Sequence, residues 1–87
     1  MSLYDEMKTI IPDITHSQYS IQALDALFDR PIFKSADFVR RSGISRPSAM
    51  RLLDVLKDNK ILSTIRESRG RQGALMMFDR LISIVKD

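Results

Sequence analysis

Apolar positions in this chain recur with two different periods, and the change of period divides it into elements. Leu3, Met7, Ile10 and Ile11 fall at helical spacing, and Pro12 is expected to end that segment. A short amphipathic helix with so little to pack against is marginal alone. Residues 1–13 therefore read as a leader followed by the tail of a connecting helix, and residues 14–87 as the folded domain. Thr15-His16-Ser17-Gln18 matches a capping box, with Ile14 and Tyr19 placed as a hydrophobic staple. Ile21, Leu24, Leu27 and Phe28 then form one apolar helix face, which Pro31 terminates. Ile32 and Phe33 suit a brief strand.

A second helix pair follows. Ser35 is expected to cap the first helix, with Asp37 in its first turn and Phe38 and Val39 facing inward. Gly43 suits a left-handed cap, and Ile44 plugs the turn. Ser45 is expected to cap the next helix, and Pro47 lies in its first turn, where a missing N–H costs little. Ala49, Leu52, Leu53 and Leu56 follow an i, i+3, i+4, i+7 stripe, and the helix should stop near Asn59-Lys60. The period then shortens. Ile61–Glu67 is rich in β-branched residues, residues 68–73 form a polar turn containing Gly70 and Gly73, and Ala74–Phe78 is strand-like. Asp79 should cap a last helix carrying Leu81, Ile82 and Val85 on one face. The order is mainly α with a small β-hairpin, the pattern of a winged helix-turn-helix.

Composition bounds the function. An 87-residue chain with 44% hydrophobic and 29% charged residues reads as one globular domain. At that size it buries roughly 60–65% of its unfolded surface, too little for a roomy enzyme pocket. There is no cysteine, so disulfides and thiolate zinc sites are excluded. His16 is the single histidine and reads as an exposed first-turn residue; it has no partner for a catalytic triad or a histidine metal pair. Asp25 and Asp29 are an i, i+4 pair on one helix and read as a solvated face. No glycine-rich phosphate loop is present. The expectation is a chain that is not itself an enzyme and needs no cofactor. No apolar run is long enough to span a bilayer and no signal-peptide pattern opens the chain, so a cytoplasmic protein is expected.

Charge sharpens this picture. Between Arg40 and Gly73 stand nine basic residues and three acids, a local net charge of +6. The rest of the chain holds five basic and eight acidic residues, a net charge of −3. Segregation of this kind suits a surface that meets a polyanion, although a solvated, salt-bridged surface has the same composition. A helix-turn-helix leaves the outer face of its second helix free for the major groove. Here that face begins with Arg46, Pro47, Ser48, Met50 and Arg51. Arginine pairs bidentately with guanine, serine bonds a base or a phosphate, and Met50 suits a thymine methyl. Arg66, Arg69 and Arg71 lie on or beside the hairpin tip, where they suit the phosphate backbone or minor groove. The DNA-binding candidates are therefore Arg46, Pro47, Ser48, Met50, Arg51, Arg66, Arg69 and Arg71. Double-stranded DNA is the first expected partner. A partner protein, a second copy of the chain or a parent catalytic domain is the alternative, resting on apolar surface at Leu3, Met7, Met50 and Val55. Met76 and Met77 read as hairpin core and cover.

These residues resemble a known arrangement. The run from Ile11-Pro12-Asp13-Ile14 through Leu24-Asp25-Ala26-Leu27-Phe28-Asp29-Arg30-Pro31 is similar to the segment following the catalytic domain of many bacterial Fic-family proteins. Ser35-Ala36-Asp37-Phe38, Gly43-Ile44-Ser45-Arg46-Pro47-Ser48 and Asp58-Asn59-Lys60-Ile61-Leu62 resemble the winged helix closing those chains, and Arg69-Gly70-Arg71 with Leu75-Met76-Met77-Phe78-Asp79 resembles their wing. The resemblance implies an accessory domain of an enzyme that transfers AMP to protein hydroxyls. The family's catalytic run of histidine, phenylalanine and Gly-Asn-Gly-Arg does not occur in these 87 residues. Two positions depart from the winged-helix pattern. Ser42 replaces a buried leucine before the turn, which predicts an underfilled core. Lys60 replaces a glycine after the second helix, which predicts strain there or a cap built on Asn59.

Overall fold

A computed structural model describes residues 2–67, 69 and 73–86, the last four of these by backbone alone. Gly70 and Arg71 of the expected wing tip, and the side chain of Val85, lie outside the described residues. The chain folds as α1 (Leu3–Thr15), α2 (Ser20–Asp29), β1 (Ile32–Lys34), α3 (Ser35–Ser42), α4 (Arg46–Asp58), β2 (Leu62–Arg66), β3 (Leu75–Phe78) and α5 (Asp79–Lys86). This is a mainly helical fold with a small antiparallel sheet, in the element order of a winged helix-turn-helix. The sheet has three strands ordered β1-β3-β2, because β1 joins the hairpin along β3.

The N-terminal segment departs most from expectation. Pro12 does not end α1, which continues to Thr15 and so crosses the expected boundary at residue 13. Proline in a helix interior costs about 3 kcal/mol through its missing N–H and ring clash. Burial opposes that cost. Met7 and Ile11 are fully buried in the same core as the later helices, where α1 packs on α2 and α4. Burying two such side chains contributes about 1.5–3 kcal/mol each. Ser2 caps the helix, its hydroxyl accepting the Asp5 N–H at 3.2 Å.

Thr15 is not an N-cap. It is the last residue of α1, buried, and its hydroxyl donates to the Ile11 carbonyl at 2.7 Å while lying 3.2 Å from the Ser20 hydroxyl. The first turn of α2 is organised by Ser17, whose hydroxyl accepts the Tyr19 N–H and whose carbonyl accepts the Ser20 hydroxyl. The α2 stripe also shifts. Ala23, Leu24, Ala26 and Leu27 are buried, whereas Ile21 is 41% exposed. Phe28 bridges the layers by edge-on contacts with Tyr4 and Phe78, with ring centres 5.3 and 5.4 Å apart.

The central helices agree with their sequence pattern in stripe and turn. Phe38, Ile44, Ala49, Leu52, Leu53 and Leu56 are all buried. Gly43 takes a left-handed conformation, φ 72°, as a C-cap requires. The caps differ in detail. Ser35 is the first residue of α3 and Lys34 its cap, whereas Ser45 is the N-cap of α4 as expected but makes no side-chain capping bond. Ser42 replaces the expected leucine but serves the turn: its hydroxyl donates to the Val39 carbonyl and accepts the Ile44 N–H, each at 3.3 Å. After α4 the chain closes in a Schellman motif. The Ile61 N–H bonds the Leu56 carbonyl at 2.9 Å and the Lys60 N–H bonds the Lys57 carbonyl at 3.0 Å. This places Lys60 at φ 62°, the left-handed site its sequence position suggested, while Asn59, the C-cap at φ −91°, donates its side-chain amide to the Val55 carbonyl at 2.8 Å.

Sheet register gives each face its chemistry. Phe33 pairs with Met76 and Leu62 with Phe78, and these four are buried on the inner face. Ile32 and Met77, paired on the outer face, are less covered, Ile32 being 49% exposed. A bulge between Thr64 and Arg66 leaves Ile65 50% exposed. The Ser35 N–H donates to the Ala74 carbonyl at 3.0 Å, tying the wing base to the start of α3. Asp79 opens α5 and its carboxylate accepts the Ser63 hydroxyl instead of capping the helix.

Candidate nucleic-acid interface

The stripe that buries α4 also decides what it presents. With Ala49, Leu52, Leu53 and Leu56 inward, Arg46, Pro47, Arg51, Asp54, Lys57 and Asp58 are exposed. Ser48, Met50 and Val55 are half-buried on the flanks, and Met50 rests against the core. The first turns of the exposed face are thus cationic and the last turns mixed. Among the described residues neither Arg46 nor Arg51 forms a salt bridge. Arg40 and Arg41, by contrast, are engaged within the fold. Arg40 pairs with Asp37 at 2.6 Å, and Arg41 ties the end of α3 to Asp29 of α2 at 2.8 Å.

The wing residues divide. Arg69 is exposed, and Arg71 lies outside the described residues. Arg66 is half-buried at the end of β2, with its Nε and one terminal nitrogen enclosed and without a hydrogen-bond partner among the described residues. Arg66 therefore belongs to the base of the wing. Arg46, Pro47, Met50 and Arg51 all lie on the N-terminal half of α4, but helical spacing sets Arg46 and Met50 on one flank and Arg51 on the other.

One neighbour of α4 was not legible in the sequence. The α1–α2 turn, residues 15–19, faces Ser48, Arg51, Leu52 and Val55 across an open groove of about 420 Å³. His16 lies on this groove in a left-handed conformation, φ 52°, as the C-cap of α1; it is exposed, as expected, but closes one helix instead of opening another. Helical spacing within α4 singles out Ser48, Arg51 and Val55 as one flank. No local pattern reveals that a turn some thirty residues earlier stands opposite them.

The interaction surface expected at Leu3, Met7, Met50 and Val55 is not assembled. Met7 is fully buried, and Leu3 and Met50 pack against the core. The phenol of Tyr4 is held above its ordinary range because it donates to the Asp25 carboxylate at 2.7 Å, with slight desolvation and the negative charges of Asp25 and Asp5 acting in the same direction. That bond belongs to α1–α2 packing. No group of three or more metal-ligating side chains occurs among the described residues, and no helix among them is long and apolar enough to cross a membrane. The chain matches no protein-family model, and no curated protein matches it.

Proposed function

We propose that this chain is a cytoplasmic winged-helix domain that binds double-stranded DNA, with α4 in the major groove and the wing on the backbone. The observation carrying this reading is Arg46 and Arg51, exposed on the N-terminal half of α4 beside Pro47 and Met50 and forming no salt bridge among the described residues. That half of a recognition helix is the part that contacts base edges. Arg69 adds charge on the wing side, and the +6 segment from Arg40 to Gly73 supplies the field that attracts a polyanion.

Binding to a random-site duplex library at graded salt tests the reading. The logarithm of affinity should fall linearly with the logarithm of salt, by roughly 0.9 per phosphate neutralised. Arg46→Ala or Arg51→Ala should cost about 1–3 kcal/mol on preferred sequences if each reads a base, and Arg69→Ala should weaken all sequences alike. A wild-type protein that shifts no duplex at low salt would end this proposal.

The resemblance to the closing segment of Fic-family proteins supports a narrower reading, a non-catalytic accessory domain of an AMP-transferring enzyme. The upstream reading frame tests it; a frame without the family's catalytic run removes it. A second reading, a protein-interaction module, draws on Ile32 of β1 and Ile65 of β2, each about half exposed. Light scattering across a concentration series tests self-association.

A further inference from the structure

We propose that the groove between residues 15–19 and α4 seats one sugar–phosphate strand of the bound duplex, making the α1–α2 turn a second backbone contact. The inference rests on the DNA-binding reading and assigns a role to a part of the molecule that reading does not use.

An α-helix with its side chains measures about 10–12 Å, and the major groove is about 12 Å wide. A helix lying in that groove therefore brings both flanks against phosphate ridges. At about 100° per residue, Ser48, Arg51 and Val55 share one flank of α4 within roughly 60°, while Arg46 and Met50 lie on the other. The α1–α2 turn stands beside the first flank and makes it concave.

The lining fits that occupant. Among the described residues no acidic side chain lines the groove, and Arg51 at its edge keeps the local potential positive. His16, Ser17, Gln18 and Ser48 offer polar atoms for phosphate oxygens, and Leu52 and Val55 give an apolar floor for deoxyribose. At about 420 Å³ the space falls within the range of sites that hold small ligands, so a sugar–phosphate unit fits.

Gln18 is exposed, so its substitution tests the contact without disturbing the core. Anisotropy of a labelled duplex with the full chain is the measurement. Gln18→Lys should tighten binding and steepen the salt dependence by about 0.9, one phosphate's worth. Gln18→Glu should weaken binding roughly tenfold at low salt, equally on all sequences. Arg46→Ala, on the opposite flank, is the control. If Arg46→Ala weakens binding while both Gln18 variants match wild type, the groove proposal falls and the DNA reading stands. If wild type binds no duplex, both fall. If the Gln18 variants change affinity for an acidic peptide but not for duplex, the groove takes a protein ligand and the proposal is overturned.

Discussion

Lys60 shows how much one residue's backbone reveals. It occupies the left-handed position of the Schellman motif closing α4, at φ 62°, where glycine is the usual choice. Replacing it with glycine relieves a left-handed cost of about 1–2 kcal/mol and adds about 0.5–1 kcal/mol of unfolded-state freedom. Lys60→Gly should therefore raise stability by about 0.5–1 kcal/mol. In urea denaturation this appears as a higher midpoint at unchanged m, and a lower midpoint would show that the lysine side chain holds the site. Tyr4 gives a titration to check. Its phenol pKa is raised above the ordinary value by the bond to Asp25, so the contribution is present below about pH 10 and is lost as pH rises through the folded value. Ultraviolet titration in a Tyr19→Phe background should show the Tyr4 phenol ionising above its ordinary value, and Asp25→Asn should bring it down; a Tyr4 transition at the ordinary value would contradict the bond. The Lys60 site was legible from its place after the stripe, whereas Thr15 was not. Thr-x-x-Gln reads as a capping box, but a threonine hydroxyl serves a helix end equally well by bonding the carbonyl four residues back.

At the scale of elements, periodicity identified faces but not partners. The α4 stripe and the Gly43 turn are local patterns, so they could be read directly from the chain. That α1 belongs to the core could not, because the residues covering Met7 and Ile11 come from helices later in the sequence. Pro12 made the error natural, since its cost is local and the burial that offsets it is not. Met7→Ala or Ile11→Ala should destabilise the domain by about 2–5 kcal/mol, the range for emptying a packed site. A change below about 1 kcal/mol in urea melting would mean that α1 is only loosely docked. The wing base is equally coupled to α3. A Cβ on Gly73 would lie 2.8 Å from the Ser35 hydroxyl, which is buried. Gly73→Ala should destabilise the domain, and adding Ser35→Ala should recover part of the loss. Additive losses would show that the two residues do not touch.

For the whole molecule, charge and fold act together. The basic residues cluster between Arg40 and Gly73, but the fold sorts them, binding Arg41 between α2 and α3 while Arg46 and Arg51 stand exposed on α4 with no salt bridge among the described residues. Charge counting along the chain could not make that distinction, since it depends on where Asp29 of α2 falls in space beside Arg41. The groove at α4 was hidden for the same reason. Binding to the native state alone must raise apparent stability by mass action. Duplex at a hundred times its dissociation constant adds about 2.7 kcal/mol. In a domain of this size each kcal/mol moves Tm by about 4–8 °C, so melting should shift upward by roughly 10–20 °C. Because the attraction is ionic, molar salt should erase the shift, as the Debye length falls to about 3 Å. Thermal melts of the chain with and without duplex, at low and at molar salt, check both statements. A shift that persists in molar salt would point to binding through Met50 and other apolar contacts instead of the arginines. No shift at low salt, with duplex in large excess, would mean that the exposed arginines of α4 do not bind a nucleic acid.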